Sequence, residues 1–363
     1  MSRVLAALRS WTTLAPLVAA ALLVGVWGRH PGVFLAVVVA IALAGAVITA
    51  VHHAEVVAHR VGEPLGSLVL AVPVTFIEVG LIITLMLSGG PETSALARDT
   101  VFAAFMITVN GILGLCLVLG AARSRLAVFN AEGTGAALAT VATLATTCLV
   151  LPTFTVSRPS GVFTPAQLGF AAVASLLLYG LFVFTQNVRH RDFFLPVKGD
   201  GAQPDTHAPP PSGRATIASL GLLLVALVGV VGLAKVESNS IEDGIDALGL
   251  PNSFVGVVIA LLVLLPETIA AARAALRDQI QISLNLALGS AMASIGLTIP
   301  TIAVATIWLD PPLQLGLGAT QMVLLAVTVV VGVLTVVPGR ATRLQGGVHL
   351  VLLAAFVFLA IHP

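Results

Sequence analysis

Two glutamates, Glu78 and Glu267, lie deep inside apolar segments of the sequence. Glu78 follows the run LVLAVPVTFI, and Glu267 follows VVIALLVLLP. An ionisable group near the middle of a bilayer is costly unless it faces a polar cavity or a partner, so each is a candidate functional residue. A buried carboxyl group can exchange a proton for a cation, because low-dielectric surroundings favour its neutral form and a nearby cation favours its charged form. The alternative is a protonated glutamate that is hydrogen-bonded between helices and has only a structural role.

A proline stands close to each of these glutamates. Pro73 precedes Glu78 by five residues, and Pro266 directly precedes Glu267. Proline lacks a backbone donor and leaves a carbonyl group free, so we expect a helix break beside each glutamate. Freed carbonyls and carboxylates are the oxygen ligands that a hard cation such as Ca²⁺ prefers. For either proline alone, an ordinary kink is the simpler interpretation.

Few other polar side chains lie at the same depth. Thr75 precedes Glu78 by one helical turn, and Asn110 and Ser290 lie in the glycine-flanked stretches NGILGLCLVLG and LGSAMASIGL. All three are candidate ligands for a cation or proton bound by the glutamates. For Asn110 and Ser290, hydrogen bonds between helices without any ion contact are an equally good interpretation.

A histidine-rich segment, HHAEVVAH, covers residues 52–59. His52, Glu55 and His59 share one helical face because of their three- and four-residue spacings. This face could relay protons or sample cations at the cytoplasmic mouth. We favour a solvated helix end, since the helix dipole stabilises cations at a helix C-terminus.

A group of acidic residues precedes the eighth apolar run and is expected in an external loop. It consists of Glu237, Glu242, Asp243 and Asp246. Such a group could attract cations, although a loop that is merely solvated is the simpler interpretation.

The elements that must position these residues are membrane helices. Of the 363 residues, 58% are apolar and only 9% are charged, whereas a soluble domain carries about 25% charged residues. A membrane helix needs about 20 apolar residues, and eleven runs qualify. Their approximate bounds are 12–28, 33–58, 64–88, 98–120, 133–156, 165–187, 214–234, 251–276, 280–308, 313–337 and 344–361. We therefore predict an all-α polytopic membrane protein.

Charge and cysteine content exclude several other functions. The formal net charge of +1 does not provide the basic field that nucleic-acid binding requires. Cys116 and Cys148 both lie in apolar runs, so neither a disulfide framework nor a cysteine metal site is expected. No cofactor and no nucleic-acid partner are predicted.

The two glutamate segments have the relationship of an inverted repeat. With the glutamates in register, GSLVLAVPVTFIEV aligns with VGVVIALLVLLPET, and the third and eighth spans cross the membrane in opposite directions, as inverted repeats require. We predict two inverted five-helix repeats, residues 31–195 and 214–363, and an extra N-terminal helix within residues 1–30. A cleaved signal is the weaker alternative for that helix, because no small-residue cleavage site precedes Trp27. Residues 196–213, rich in Pro and Gly, are expected to form a cytoplasmic linker.

The distribution of basic residues predicts the orientation. With the N-terminus inside, thirteen of the seventeen Lys and Arg fall in loops on one side, and cytoplasmic loops carry this excess. The N-terminus is therefore predicted to be cytoplasmic and the C-terminus external, in a multi-pass protein of the plasma membrane.

Two segments of the sequence resemble a known family. HHAEVVAHRVGEPLGSLVLAVPVTFIEVGLIITLMLS and LPETIAAARAALRDQIQISLNLALGSAMASIGLTIPTIAV are similar to the two alpha-repeat regions of Ca²⁺/H⁺ antiporters of the cation/proton exchanger family, closest to the bacterial ChaA-type branch. The resemblance implies that Glu78 and Glu267 are the acidic residues that bind cation or protons in alternation. It also matches Gly289 and Ser290 to the family's Gly-Ser pair, with Val109 and Asn110 at the corresponding position of the first repeat.

The sequence departs from the family's Gly-Asn-x-x-Glu pattern. It has Thr75 three residues before Glu78 and Leu264 three residues before Glu267. The missing amides remove candidate oxygen ligands, which puts strictly calcium-selective binding in doubt and leaves Na⁺ or K⁺ as alternative cargo.

The function implied is a secondary antiporter that exchanges Ca²⁺, or Na⁺ or K⁺, for H⁺ by alternating access. Its expected partners are these transported ions and membrane lipid. A Na⁺(K⁺)/H⁺ antiporter with little Ca²⁺ activity, a cation channel and an intramembrane enzyme are the alternatives. The enzyme is disfavoured because neither an H-E-x-x-H motif nor a G-x-S-x-G motif is present.

Overall fold

The computed structural model describes residues 11–29, 31–62, 65–88, 94–158, 161–197, 211–251, 253–307 and 313–362. Within these residues every one of the eleven predicted spans contains a helix. Nine helical segments are long and apolar enough to cross a membrane, and Trp11–Val26 and Val72–Leu87 are shorter apolar helices. The chain is therefore an all-α polytopic membrane protein, as predicted. Arg3, Arg9, Pro363 and residues 198–210 of the predicted linker lie outside the described residues.

The first half of the chain forms α1 to α8. Their bounds are α1 Trp11–Val26, α2 Val33–Val61, α3 Leu65–Ser88, α4 Leu96–Met106, α5 Leu113–Ser124, α6 Ala131–Ala145, α7 Leu151–Phe154 and α8 Pro165–Phe184. A π-helical turn, Ile107–Ile112, joins α4 to α5, and a second, Thr146–Val150, joins α6 to α7. A third π-helical turn, Thr185–Arg189, and a 3₁₀ turn, Arg191–Phe194, follow α8.

The second half forms α9 to α14. Their bounds are α9 Gly213–Ala247, α10 Phe254–Leu276, α11 Ile280–Gly296, α12 Thr298–Ala305, α13 Ala319–Val336 and α14 Arg343–Ile361. Two short strands, β1 Ala127–Val128 and β2 Arg340–Ala341, pair antiparallel.

Local sequence sets several helix starts. The side chain of Asn130 accepts hydrogen bonds from the backbone N–H groups of Glu132 and Gly133 at the start of α6. Thr164 and Gln167 form a capping box around Pro165 at the start of α8. Such caps satisfy backbone donors that have no partner within the helix, and proline is favoured at the first helical position.

The predicted helix breaks at Pro73 and Pro266 are wrong. Pro73 lies inside α3 and Pro266 inside α10, and both helices continue through them. Each proline lacks the backbone N–H that would donate to the carbonyl four residues earlier. That carbonyl belongs to Val69 for Pro73 and to Leu262 for Pro266. At 1.5 Å per residue, Val69 lies about 13 Å along the helix from Glu78, and Leu262 about 7 Å from Glu267. The freed carbonyls are therefore not level with the carboxylates.

The chain is instead interrupted at a position that the pattern did not indicate. The ninth span divides at Leu297 into α11 and α12. Pro300 has no N–H to donate to the carbonyl of Gly296, four residues before it, and a proline in the first turn of the following helix is tolerated. The break thus follows from Gly296 and Pro300 together.

The predicted external acidic loop is also wrong. Residues 237–247 continue α9, which has 35 residues and a length of about 52 Å, well beyond the hydrocarbon core of about 30 Å. The helix stops before Gly249, whose φ of 66° is a conformation that glycine adopts without strain. No proline occurs between Lys235 and Ala247 to end it sooner.

The chain divides into two compact units that do not follow the two sequence halves. Unit 1 is Met1–Thr93 with Thr206–Val255, and unit 2 is Ser94–Asp205 with Gly256–Pro363. Unit 1 thus takes α1 to α3 from the first half and α9 from the second. The two five-helix repeats stay a prediction about topology.

Within unit 1 the extra helix α1 packs against both α2 and α9. Gly232 of α9 leaves room for α1, because a Cβ there would clash with the side chain of Leu23. At Gly229 a Cβ would lie 3.4 Å from Cβ of Ala19, which is an ordinary van der Waals contact. Since α1 packs closely on two helices of unit 1, it is an integral part of this unit.

Within unit 2 the segment Leu96–Ser124 is the central helix, and 89% of its most apolar window is buried. It packs against α11 and α14. Gly114 and Gly346 let α5 and α14 cross closely, since a Cβ on Gly346 would lie 2.8 Å from the carbonyl oxygen of Gly114.

The loops of unit 2 lie at two opposite ends of its helices. At one end β1 pairs with β2, and Arg123 donates a hydrogen bond of 3.0 Å to the carbonyl of Leu276. At the other end Val162 and Gln314 form a bridge, and the backbone N–H of Gln314 donates to the carbonyl of Ser94. This sorting is what the alternation of eleven spans requires. The assignment of the first end to the cytoplasm stays a prediction from charge.

Candidate functional site

Glu78 is a buried carboxyl group on α3, with only 2% of its surface exposed. Thr75, one turn earlier, is also buried, and its Oγ1 has no hydrogen-bond partner among the described residues. The three-residue spacing places both side chains on one helical face. Unit 1 therefore presents a carboxyl group and a buried hydroxyl on one face of α3.

α3 meets α9 directly beside this pair. A Cβ on Gly80 would lie 2.7 Å from Cγ2 of Val231, so only glycine permits the observed approach. Any larger residue at position 80 would push α9 away from the helix that carries Glu78.

Glu267 lies on α10 in unit 2, and its surroundings differ from those of Glu78. It is half-buried, while Pro266 beside it is buried. The hydroxyl of Thr268 donates a 2.7 Å hydrogen bond to the carbonyl of Leu264. The Leu264 side chain is 1% exposed, so the position where the family pattern has an amide is a packed apolar one in this chain.

Ser290, the other predicted hydroxyl ligand, is half-buried on α11. A Cβ built on its neighbour Gly289 would meet nothing within 4 Å. This stretch of α11 therefore has free space beside it, and a small hydroxyl is available there.

Among the described residues, no three His, Cys, Asp or Glu side chains are grouped as metal ligands. A transported Ca²⁺ takes six to eight oxygen ligands. Carboxylates that occur singly must therefore be supplemented by hydroxyl, carbonyl or water oxygens.

Asn110 lies in the π-helical turn Ile107–Ile112 and belongs to a polar network within unit 2. Its Nδ2 donates to Oγ1 of Thr328 at 2.9 Å, and its Oδ1 lies 3.0 Å from Nδ1 of His349. Nε2 of His349 lies 3.2 Å from Oγ1 of Thr335. Because protein side chains occupy both ends of the amide, the structure favours the interhelical hydrogen bond over the ligand interpretation for Asn110.

Sequence reasoning did not find the partners of Asn110. His349 is fully buried, as is Thr328, and both lie in the last two apolar spans, far along the chain from residue 110. A signal was present, since a histidine inside an apolar membrane span is itself costly and calls for a partner.

The histidines of α2 differ in burial in a way that their spacing did not predict. His52 is half-buried, and Glu55 and His59 are exposed, which agrees with the solvated helix end. His53 is buried instead, and its Nε2 lies 3.0 Å from the carbonyl oxygen of Thr12 on α1. This histidine thus helps to attach α1 to α2.

One further buried acid occurs at the start of α4. Asp99 is 7% exposed, and its Oδ1 accepts hydrogen bonds from Nε of Arg98 at 2.8 Å and from Nε2 of Gln321 at 3.4 Å. Its ion pair and hydrogen bonds are to protein side chains, so its burial does not call for a transported ion.

Comparisons with known proteins agree with this architecture. Residues 29–188 and 218–362 match the sodium/calcium exchanger protein family. The protein y4hA of Sinorhizobium fredii, described as an ionic transporter, is 47% identical over 321 residues, which cover 88% of this chain and 87% of y4hA. The sodium-potassium/proton antiporter ChaA of Escherichia coli is 34% identical over 318 residues, covering 87% of this chain and 86% of ChaA. The crystal structure of the H⁺/Ca²⁺ exchanger CAX has a TM-score of 0.71 at 15% identity, covering 96% of this chain and 88% of CAX.

Proposed function

Because the chain belongs to the sodium/calcium exchanger family, we propose that it exchanges a metal cation for protons across the plasma membrane by alternating access. The observation that carries this proposal is Glu78, a carboxyl group that is 2% exposed in the middle of a membrane helix. A group in that position must be neutralised by a proton or by a cation. Competition between the two for the same oxygens couples their movements.

We assign the exchange to Glu78 and Glu267 as the carboxyl groups that bind cation and protons. The Thr75 hydroxyl supports this assignment for Glu78, since it is buried on the same helical face and has no hydrogen-bond partner. Ser290 offers a further hydroxyl on α11. Asn110 is left out of the proposed ligand set because His349 and Thr328 bind its amide.

The cargo that we propose is Ca²⁺ with modest affinity, together with Na⁺ or K⁺. Ca²⁺ takes six to eight oxygen ligands. The packed side chain of Leu264 adds none. A relative with 34% identity is named a sodium-potassium/proton antiporter, which supports including monovalent ions.

Alternating access requires a group of helices that moves as one body. α2 and α9 pack against one another along much of their lengths within unit 1, which supports their moving together. The N-terminus is proposed to be cytoplasmic and the C-terminus external.

Proton flux in everted membrane vesicles tests this function. Vesicles that contain the protein are energised to acidify their lumen, and Ca²⁺, Na⁺ and K⁺ are then added in turn. Exchange predicts that a transported cation raises the lumenal pH, and the cation concentrations that give half the effect rank the ions. Cation movement without any proton movement would identify a channel and overturn the proposal.

A further inference from the structure

Glu237 is a second buried carboxyl group of unit 1, and the exchange proposed above does not use it. It lies on α9 and is 5% exposed. The sequence pattern had placed it in a solvated loop. An acid that is buried rather than solvated at this position needs a physical explanation.

Glu237 continues a packed apolar stripe. Ala226, Val230 and Leu233 are all fully buried, and their spacings of four and three residues keep them on one helical face. Glu237 follows four residues later on the same face. It therefore occupies a position where α9 otherwise places tightly packed aliphatic side chains.

One oxygen of the carboxyl group has no hydrogen-bond partner among the described residues. This atom, Oε2 of Glu237, is buried. Asp99, by contrast, is buried against Arg98 and Gln321. Among the described residues no comparable ion pair stabilises a negative charge on Glu237.

The other charged and titratable groups of the neighbouring elements do not compensate it. The helices packed against α9 are α1, α2 and α3. The described charged and titratable side chains on or beside these three helices are Arg29, which follows α1, His52, His53, Glu55, His59 and Arg60 on α2, and Glu78 on α3. On α9 itself, Lys235 is the described one near Glu237. Nζ of Lys235 lies 5.6 Å from the ring centre of Trp27. Within the described residues none of these groups forms an ion pair with Glu237.

The position of Glu237 along the helices follows from one contact. Gly80 of α3 is level with Val231 of α9, and both helices cross in the same direction by the alternation of spans. With 1.5 Å per residue, Glu237 lies about 12 Å beyond Glu78 along the axis. This is toward the end of α9 that the charge distribution predicts to be external.

We propose that Glu237 is a proton-binding site on the external side of Glu78. A buried carboxylate without a partner costs far more free energy than a buried carboxylic acid does. Among the described residues Glu237 belongs to no group of metal ligands, and a single carboxyl group suits a proton better than a metal ion, which needs several oxygens. In the cycle, its carboxylate takes one proton from the outer medium and becomes the carboxylic acid, and the carboxylate forms again when that proton passes to water on the side of Glu78. Only this transport role rests on the proposed function, because protonation of Glu237 does not depend on it.

Infrared difference spectroscopy of the full-length protein in lipid tests the site directly. The pH is varied, and the C=O band of protonated carboxyl groups is followed in the wild type, in Glu237→Gln and in Glu132→Gln. Glu132 is an exposed carboxylate in the first turn of α6 and serves as the matched control. We expect one titrating band to be lost in Glu237→Gln and kept in Glu132→Gln. Glu237→Asp should keep a band that titrates over a different pH range.

Identical titrating bands in Glu237→Gln and the wild type would overturn the proposal. For the transport role, proton flux is measured while the pH on the external face is varied. Glu237→Gln should shift this pH profile, and Glu132→Gln should leave it unchanged; an unshifted profile would make Glu237 a structural acid. If the wild type exchanged no cation for protons, the proposed function would fail, and the infrared result would still decide whether Glu237 binds a proton.

Discussion

Asn110 Oδ1 and His349 Nδ1 lie 3.0 Å apart in the buried centre of unit 2, although 239 positions separate them in the sequence. The amide N–H₂ of Asn110 donates to Thr328, so its oxygen faces the histidine. An amide oxygen only accepts, and His349 must therefore carry its proton on Nδ1. Nε2 is then free to accept from the hydroxyl of Thr335.

This arrangement predicts different effects for two substitutions of His349. Asparagine places an amide N–H₂ near the position of Nδ1 and keeps the bond to Asn110. Glutamine reaches the position of Nε2 and leaves the Asn110 oxygen without its donor. We expect His349→Gln to lose about 1–3 kcal/mol of stability, the cost of an unsatisfied buried group, and His349→Asn to lose less. Thermal unfolding in detergent measures both, and equal loss would show that the Nδ1 bond does not matter.

The two glutamates should both be indispensable for exchange. Glutamine retains the volume of a protonated glutamate but cannot release a proton. Glu78→Gln and Glu267→Gln should therefore each abolish cation-dependent proton movement in everted vesicles, with normal membrane insertion. Asp99→Asn is the control, because it removes a buried carboxylate that forms an ion pair within the protein. Wild-type exchange in either glutamine variant would refute the assignment.

Thr75 should affect ion binding without contributing to stability. Its buried hydroxyl forms no hydrogen bond within the described part of the chain, so Thr75→Val removes a polar group without breaking a hydrogen bond there. We expect unchanged or raised thermal stability and weaker cation affinity. Thr108→Val provides the contrast, because the Thr108 hydroxyl donates to the carbonyl of Ala104 at 2.7 Å. Should Thr75→Val bind cations as the wild type does, its hydroxyl is not a ligand.

Close helix crossings should make certain glycines sensitive to a single methyl group. In Gly114→Ala the new Cβ would lie 2.8 Å from Cβ of His349, and overpacking of this kind costs about 1–3 kcal/mol. Gly180→Ala, where a Cβ meets nothing within 4 Å, should be neutral or slightly stabilising, since alanine favours the helix. Unfolding temperatures compare the two variants, and equal effects would argue against the α5–α14 crossing.

Labelling of single cysteines tests the sidedness of the loops. Arg125 precedes β1 and Arg340 belongs to β2, so cysteines at both positions should react from the same side of the membrane. A cysteine at Arg158 should react from the opposite side, and the charge distribution predicts that side to be external. A membrane-impermeant maleimide added to intact cells distinguishes external from cytoplasmic cysteines. The native Cys116 and Cys148 are buried. Reaction of all three from one side would exclude the predicted span count.

Much of the architecture could be predicted because it depends on local quantities. The length of an apolar run decides whether a helix crosses a bilayer, and all eleven predicted runs are helical in the described residues. The local pattern was less informative about interruptions. Pro73 and Pro266 do not break their helices, whereas Gly296 and Pro300 together do. Whether a freed carbonyl ends a helix depends on what packs around it.

The sequence by itself determined that this protein crosses a membrane, and it identified Glu78 and Glu267 as candidate residues, since the cost of a charge in an apolar run can be assessed from the run alone. Only the tertiary structure decided that Asn110 is bound by His349 and that Glu237 is buried within a packed stripe. The physical reason is that burial and hydrogen-bond partners depend on which surfaces meet. Contacts between residues far apart in the chain determine which surfaces meet. Hydrophobic periodicity is a local property and does not predict these contacts.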